Sequence, residues 1–131
     1  MWDVGVERQV QLEGPDASKL AQILSPRDLS KCKIGQGKYV PMCNHDGILI
    51  NDPIMLKLRD DLYWFSIADS DIWIWARAIA AERGFDVKIS EPDLSPLAVQ
   101  GPKAAAVVSS IFGDGVHGLK YFWFSDTGIN G

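Results

Sequence analysis

The chain has 131 residues, 47% of them hydrophobic and 23% charged, enough for one domain with a closed core. A net charge of -4 and a pI near 5.0 argue against nucleic acid as a partner, because phosphate binding asks for a basic face. No stretch approaches the ~20 apolar residues of a membrane span, and the charged start "MWDVGVERQV" is unlike a signal peptide, so a cytoplasmic location without membrane contact is expected.

In "DVGVERQVQLEG", Val4, Val6, Val10 and Leu12 support an opening strand interrupted by Arg8. Gly14-Pro15-Asp16 turns the chain, and Pro15 or Asp16 starts a helix whose apolar stripe is Leu20, Ile23 and Leu24. Pro26 ends it, and "SPRDLSKCKIGQGK" is a polar connection. "KYVPMC" reads as a short strand, and "NHDG" as a hairpin turn whose Asp-Gly pair suits positive φ. The next run, "GILINDPIMLKL", alternates Ile48, Ile50, Ile54, Leu56 and Leu58 toward one expected buried face. The same parity puts Asp52 on that face, beside Pro53, which lacks a ladder donor. "RDD" turns into the strand candidate "LYWFSIA".

The strongest helix signal is "DSDIWIWARAIAAERG". Asp69 or Ser70 caps it, Asp71 suits its first turn, Ile72, Trp75, Ala76 and Ile79 share a face, and Gly84 supplies the stop. "FDVKIS" and "LSPLAVQG" read as strands. Pro102 opens a further helix with the stripe Ala104, Val107, Val108 and Ile111, closed by Gly113. "LKYFWF" reads as a final strand, followed by a turn-rich tail. Helices mixed with adjacent hairpin strands give an α+β pattern, with a mixed or antiparallel sheet.

Several chemistries lack their residues. "GQGKY" has neither the spacing nor the Ser/Thr of a phosphate loop. His45 and His117 stand far apart without further ligands at a recognisable spacing, so no metal site is expected. Cys32 and Cys43 are read as free thiols. Two features remain. Asn51 and Asp52 set an amide beside a carboxylate at a strand break, either a solvated bulge or a polar group aimed at a cleft. Trp64 and Trp123 lie in strands where alternate side chains face opposite ways, so an aromatic wall away from the core is expected, suited to a cation or a flat heterocycle.

"MWDVGVERQVQLEGPDASKLAQIL", "YVPMCNHDGILINDPIMLKL", "WFSIADSD" and "LAVQGPKA", in this order, resemble the folate-dependent aminomethyltransferase family, the glycine cleavage T-protein and its relatives. "INDP", "ADSD", "SPLAVQGP" and "YFWF" are most similar to its dimethylsulfoniopropionate demethylase branch. The resemblance implies that residues 1–131 are one partial folate-binding domain, cut short at its C-terminus and inactive alone, of an enzyme that moves a one-carbon unit onto N5 of tetrahydrofolate. It also implies a small-molecule methyl or aminomethyl donor, and leaves self-association open through surface exposed by truncation.

By the same resemblance, the catalytic first acid of the T-protein's acidic pair falls on Asn51, and the second is kept as Asp52. A further T-protein Asn falls on Ala68. Both departures favour methyl transfer from a sulfonium, an already activated donor, over aminomethyl transfer. Asp52 and Asn51 are thus the expected catalytic residues, and Tyr39, Asn51 and Trp123 the expected folate-side residues. The rival readings are an aminomethyltransferase of glycine cleavage type and a non-catalytic folate-binding module.

Overall fold

The computed structural model describes residues 1–67 and 71–127. The expected cap residues Asp69 and Ser70, and Ala68, lie outside the described residues. The chain runs β1 (Trp2–Asp3), β2 (Arg8–Glu13), α1 (Ala17–Leu24), β3 (Gly37–Tyr39), β4 (Met42–Cys43), β5 (Leu49–Asn51), β6 (Ile54–Arg59), β7 (Leu62–Ile67), α2 (Asp71–Arg83), β8 (Lys88–Ser90), β9 (Leu97–Ala98) and α3 (Ala104–Phe112). A short 3-10 turn, Asp114–Gly118, follows. This is the expected α+β class.

A five-stranded antiparallel sheet in the order β3-β6-β7-β2-β8 organises the fold. Directly opposed residues share a face in such a sheet. Val10 opposes Phe65, which opposes Met55, and all three are fully buried. Helices α1 and α2 cover this side, inserting Leu20, Leu24, Ile72 and Ala76. The other face carries Gln9, Gln11, Ile54, Leu56, Trp64 and Ser66. Its polar members pair laterally: Gln9 Nε2 donates to Ser66 Oγ at 2.9 Å, and Trp64 Nε1 to Gln11 Oε1 at 2.7 Å. Trp64 therefore points away from the core, as the alternation of its strand requires.

Helix α1 begins at Asp16 without a side-chain cap. The carboxylate is committed elsewhere, accepting from Lys19 Nζ at 2.7 Å and from the Asp86 amide at 3.0 Å. These bonds, the Lys19 one foremost, hold its pKa below the usual 3.8. They tie the helix start to the segment leading into β8. Gly14 sits at the same crossing with φ +141°. A β-carbon there would lie 2.8 Å from the Asp86 carbonyl oxygen and 3.1 Å from Val87 Cα. Gly14→Ala is expected to cost roughly 2 kcal/mol from backbone strain and the clash. Urea denaturation checks this, and a loss below ~0.5 kcal/mol, the scatter of ordinary surface changes, would refute it.

Several expectations need correction. The opening strand is two pieces, and Val6 is exposed. "KYVPMC" is split between β3 and β4, which join different sheets. The run 47–58 is likewise split at Asp52-Pro53, and its buried parity is the reverse of the expected one. Pro53 and Met55 are buried, Ile54, Leu56 and Leu58 are only half-buried, and Ile48 is exposed. Pro53 cannot donate to a ladder, so pairing changes partner there, and register with Phe65 selects Met55 for the core. In α1 the buried face is Ala17, Leu20, Ala21 and Leu24, while Ile23 is exposed. Helix α3 forms as expected, yet buries none of its residues. "LKYFWF" makes no strand; Trp123 forms one isolated bridge with Gln36, and Phe122 adopts φ 58°. Cys32 and Cys43 are free thiols, as expected. Among the described residues, no helix is long and apolar enough to cross a membrane.

Candidate functional site

The split of the 47–58 run creates the site. Asn51 ends β5, opposite Met42, while Ile54 opens β6, opposite Tyr39. Asp52 lies in the step between the two ladders. Pro53 anchors that step, its carbonyl accepting the Val40 amide at 3.0 Å. Asn51 Oδ1 accepts the Asp52 amide at 2.8 Å, fixing the backbone from which the carboxylate projects. Tyr39 Oη then donates to Asp52 Oδ2 at 2.9 Å. The bond to Asp52 holds the Tyr39 phenol above its ordinary 10.0, so Tyr39 stays protonated and remains a donor. Asp52 is exposed and Tyr39 half-exposed, so Asp52 keeps accepting capacity beyond its phenol partner.

Beside this pair, a hollow of about 370 Å³ opens at the outer edge of β3, lined by Arg27, Gly37, Lys38, Tyr39, Tyr121 and Phe122. The 121–124 segment docks along that edge. Gly37 donates to the Phe122 carbonyl at 2.7 Å, and Phe124 to the Gly35 carbonyl at 2.9 Å. Arg27 Nη1 donates to the Tyr39 carbonyl at 2.8 Å, holding the edge from the other side. A larger hollow of about 550 Å³ lies on the helix side, between α1 and Tyr63. Two of its polar side chains are committed internally: Lys57 to Asp60 at 2.9 Å, and the Gln22 amide to the main chain of Arg27 and Leu29.

Of the residues expected from sequence, the fold brings Tyr39, Asn51 and Asp52 together. Trp123 does not line this hollow; it bridges Gln36 and lies against Gly35, just before β3. Sequence reasoning missed Arg27, Lys38, Tyr121 and Phe122. One signal was available for the first two: Arg27, Lys31, Lys33 and Lys38 crowd one connection of an acidic chain, with Asp28 as its only carboxylate. Among the described residues, no group of three His, Cys, Asp or Glu side chains is placed to hold a metal ion. His45 is exposed and rests against Trp75, ring centroids 5.4 Å apart.

Chemically, the arrangement offers a carboxylate at a strand break, oriented by a neutral phenol, beside an aromatic hollow with the Arg27 guanidinium at its rim. Known proteins resemble the chain in sequence and fold. The chain is 45% identical over 131 residues to dimethylsulfoniopropionate demethylase DmdA of Ruegeria pomeroyi, covering 100% of this chain and 36% of that protein. It is 30% identical over 131 residues to an aminomethyltransferase of Lysinibacillus sphaericus, covering 96% of this chain and 35% of that one. The crystal structure of glycine cleavage system aminomethyltransferase T from Bartonella henselae superposes with a TM-score of 0.72 at 27% identity, over 82% of this chain and 30% of that one. The chain thus spans about a third of the length of these relatives. Matched from residue 1 to residue 131 by the family described as the GCVT N-terminal domain, it belongs to that family.

Proposed function

We propose that this chain is the part of a tetrahydrofolate-dependent methyltransferase that presents Asp52 and Tyr39 to the cofactor and the methyl donor. The observation that carries this reading is the 2.9 Å bond from Tyr39 Oη to Asp52 Oδ2, which orients a carboxylate toward solvent beside an aromatic hollow. The residues fit part of a reduced pterin, which offers ring N–H donors and a flat face. Asp52 has lone pairs to accept the former, and the half-exposed Tyr39 ring is a surface for the latter. When bound, tetrahydrofolate supplies N5 as the acceptor of the one-carbon unit.

Asp52 also supplies a negative charge against a positively charged donor such as a methyl sulfonium. Tyr39 fixes the direction of that charge, and Asn51 fixes the backbone beneath it. The 45% identity to dimethylsulfoniopropionate demethylase supports a sulfonium donor. Aminomethyl transfer is the second reading, supported by the aminomethyltransferase relatives. Asn51 weighs against it, since an amide cannot act as a base toward an amine.

Calorimetric titration of tetrahydrofolate into the folded 131-residue chain tests the reading. A saturable heat is expected. No heat, from a chain whose circular dichroism shows it folded, would end the proposal.

A further inference from the structure

We propose that the hollow between α1 and Tyr63 is a second binding site, which takes a small monocarboxylate with an aryl or alkyl body. Lys57 and Tyr63 meet the acid group, and Ala21, Ile23, Leu29 and Phe85 meet the body. The site is independent of the folate reading. Lys57 opposes Tyr63 on the helix-covered face of the sheet, whereas Tyr39 opposes Ile54 on the other face.

Three observations meet in this hollow. The first is room. At about 550 Å³ it is larger than the hollow beside Asp52, and it falls within the roughly 300–1,000 Å³ of small-ligand sites. Ala21, Ile23, Leu29 and Phe85 give it an apolar wall. Ile23 is 42% exposed, so an apolar body seated there removes hydrocarbon surface from water.

The second is a charge in a desolvated position. Lys57 takes a core-side place on β6, two residues beyond the buried Met55, and only 16% of its side chain is exposed. Drawing an ammonium out of water is costly unless a counter-charge comes with it. The carboxylate that Lys57 holds, Asp60 at 2.9 Å, has a side chain 85% exposed. A partner that stays in water returns little of that cost. A ligand carboxylate inside the hollow is a better counter-charge, because it is itself withdrawn from solvent.

The third is convergence of donors. Of the three N–H groups of the ammonium, Asp60 takes one and the Tyr63 phenol oxygen another, which leaves a third. Tyr63 is only 4% exposed and lines the hollow. Its oxygen accepts from Lys57, and among the described residues no group accepts its proton. Burial pushes the phenol above its ordinary 10.0, against the pull of Lys57, so the O–H persists as a donor. One ammonium and one phenol O–H match the two oxygens and single charge of one carboxylate.

NMR titration of the isotopically labelled 131-residue chain with phenylbutyrate, phenylbutanol and phenylbutylamine tests the site. These probes share a body and differ in the charge at its end. Phenylbutyrate is expected to shift the amides of Leu29, Ser30, Lys57, Tyr63 and Phe85, saturating at about millimolar concentration, and to leave those of Asn51 and Asp52 in place. The alcohol should bind about fivefold weaker, and the amine weaker still. Lys57→Gln should erase the preference for the acid. Asp60→Asn, which frees the ammonium from its competitor at an exposed position, should tighten phenylbutyrate about twofold to threefold. Ser18→Trp, at the exposed rim, should block the hollow and abolish binding with Lys57 in place. Circular dichroism controls for the fold of each variant. Shifts that do not saturate, equal binding of acid and alcohol, a preference that survives Lys57→Gln, or failure of Asp60→Asn to tighten the acid would overturn the site, and each leaves the folate reading intact.

Discussion

Phe65→Ala is expected to lower the free energy of unfolding by roughly 3–5 kcal/mol, the largest stability effect of any single truncation in this chain. Phe65 is fully buried at the centre of the five-stranded sheet, flanked by Val10 on one neighbouring strand and Met55 on the other. Both partners are themselves fully buried. Deleting the ring removes its transfer free energy and leaves a void that this flanking makes hard to collapse. A domain of this size has ~5–15 kcal/mol in total, so the variant should be largely unfolded at 37 °C if the parent stability lies at the low end. Guanidinium denaturation followed by tryptophan fluorescence measures the loss. Phe65→Leu, which keeps most of the volume, should cost well under half as much. A loss below about 1 kcal/mol for Phe65→Ala would mean that the sheet centre is not the packed layer described above.

Asp52→Asn carries the largest expected functional effect. The amide keeps the size and shape of the carboxylate, and its oxygen can still accept from Tyr39 Oη, now 2.9 Å from Oδ2. Only the charge and part of the accepting capacity are lost. A hydrogen bond to a charged group contributes roughly 1.5–3 kcal/mol, so tetrahydrofolate affinity should fall by about tenfold to a hundredfold. Tyr39→Phe removes only a neutral hydroxyl and should cost less, about threefold to tenfold. Asp52 is exposed, so neither change should move the denaturation midpoint appreciably, and circular dichroism controls for the fold. Binding by Asp52→Asn within twofold of the unaltered chain would show that the carboxylate does not face the cofactor.

Local signals were enough to find most elements. Helix α2 follows from Ile72, Ala76 and Ile79 at helical spacing with Gly84 at its end, where φ is 64°. The Asn44–Gly47 hairpin follows from its Asp-Gly pair, with Gly47 at φ 79°. These succeed because caps, stops and tight turns are decided by a few neighbouring residues. The same locality explains why Asn51 and Asp52 were legible as candidates, carried by one short motif at a strand break, whereas Tyr39 came only from the family resemblance.

What the sequence by itself determined is thus the α+β class, the punctuation of its helices and hairpins, and the polar step at Asn51-Asp52. What only the tertiary structure decided is which side of each strand is inside, and which distant residues meet. Both parities of the 47–58 run carry apolar residues, so a period of two could not choose between them. Alignment of Met55 with Phe65 made the choice and turned Asp52 outward. Tyr39 reaches Asp52 only because β3 pairs with β6. Arg27 reaches the same edge only because α1 stops at Leu24 and the chain folds back over Tyr39. Register and docking of this kind depend on packing between segments far apart in the chain, and that energy is written in no single segment.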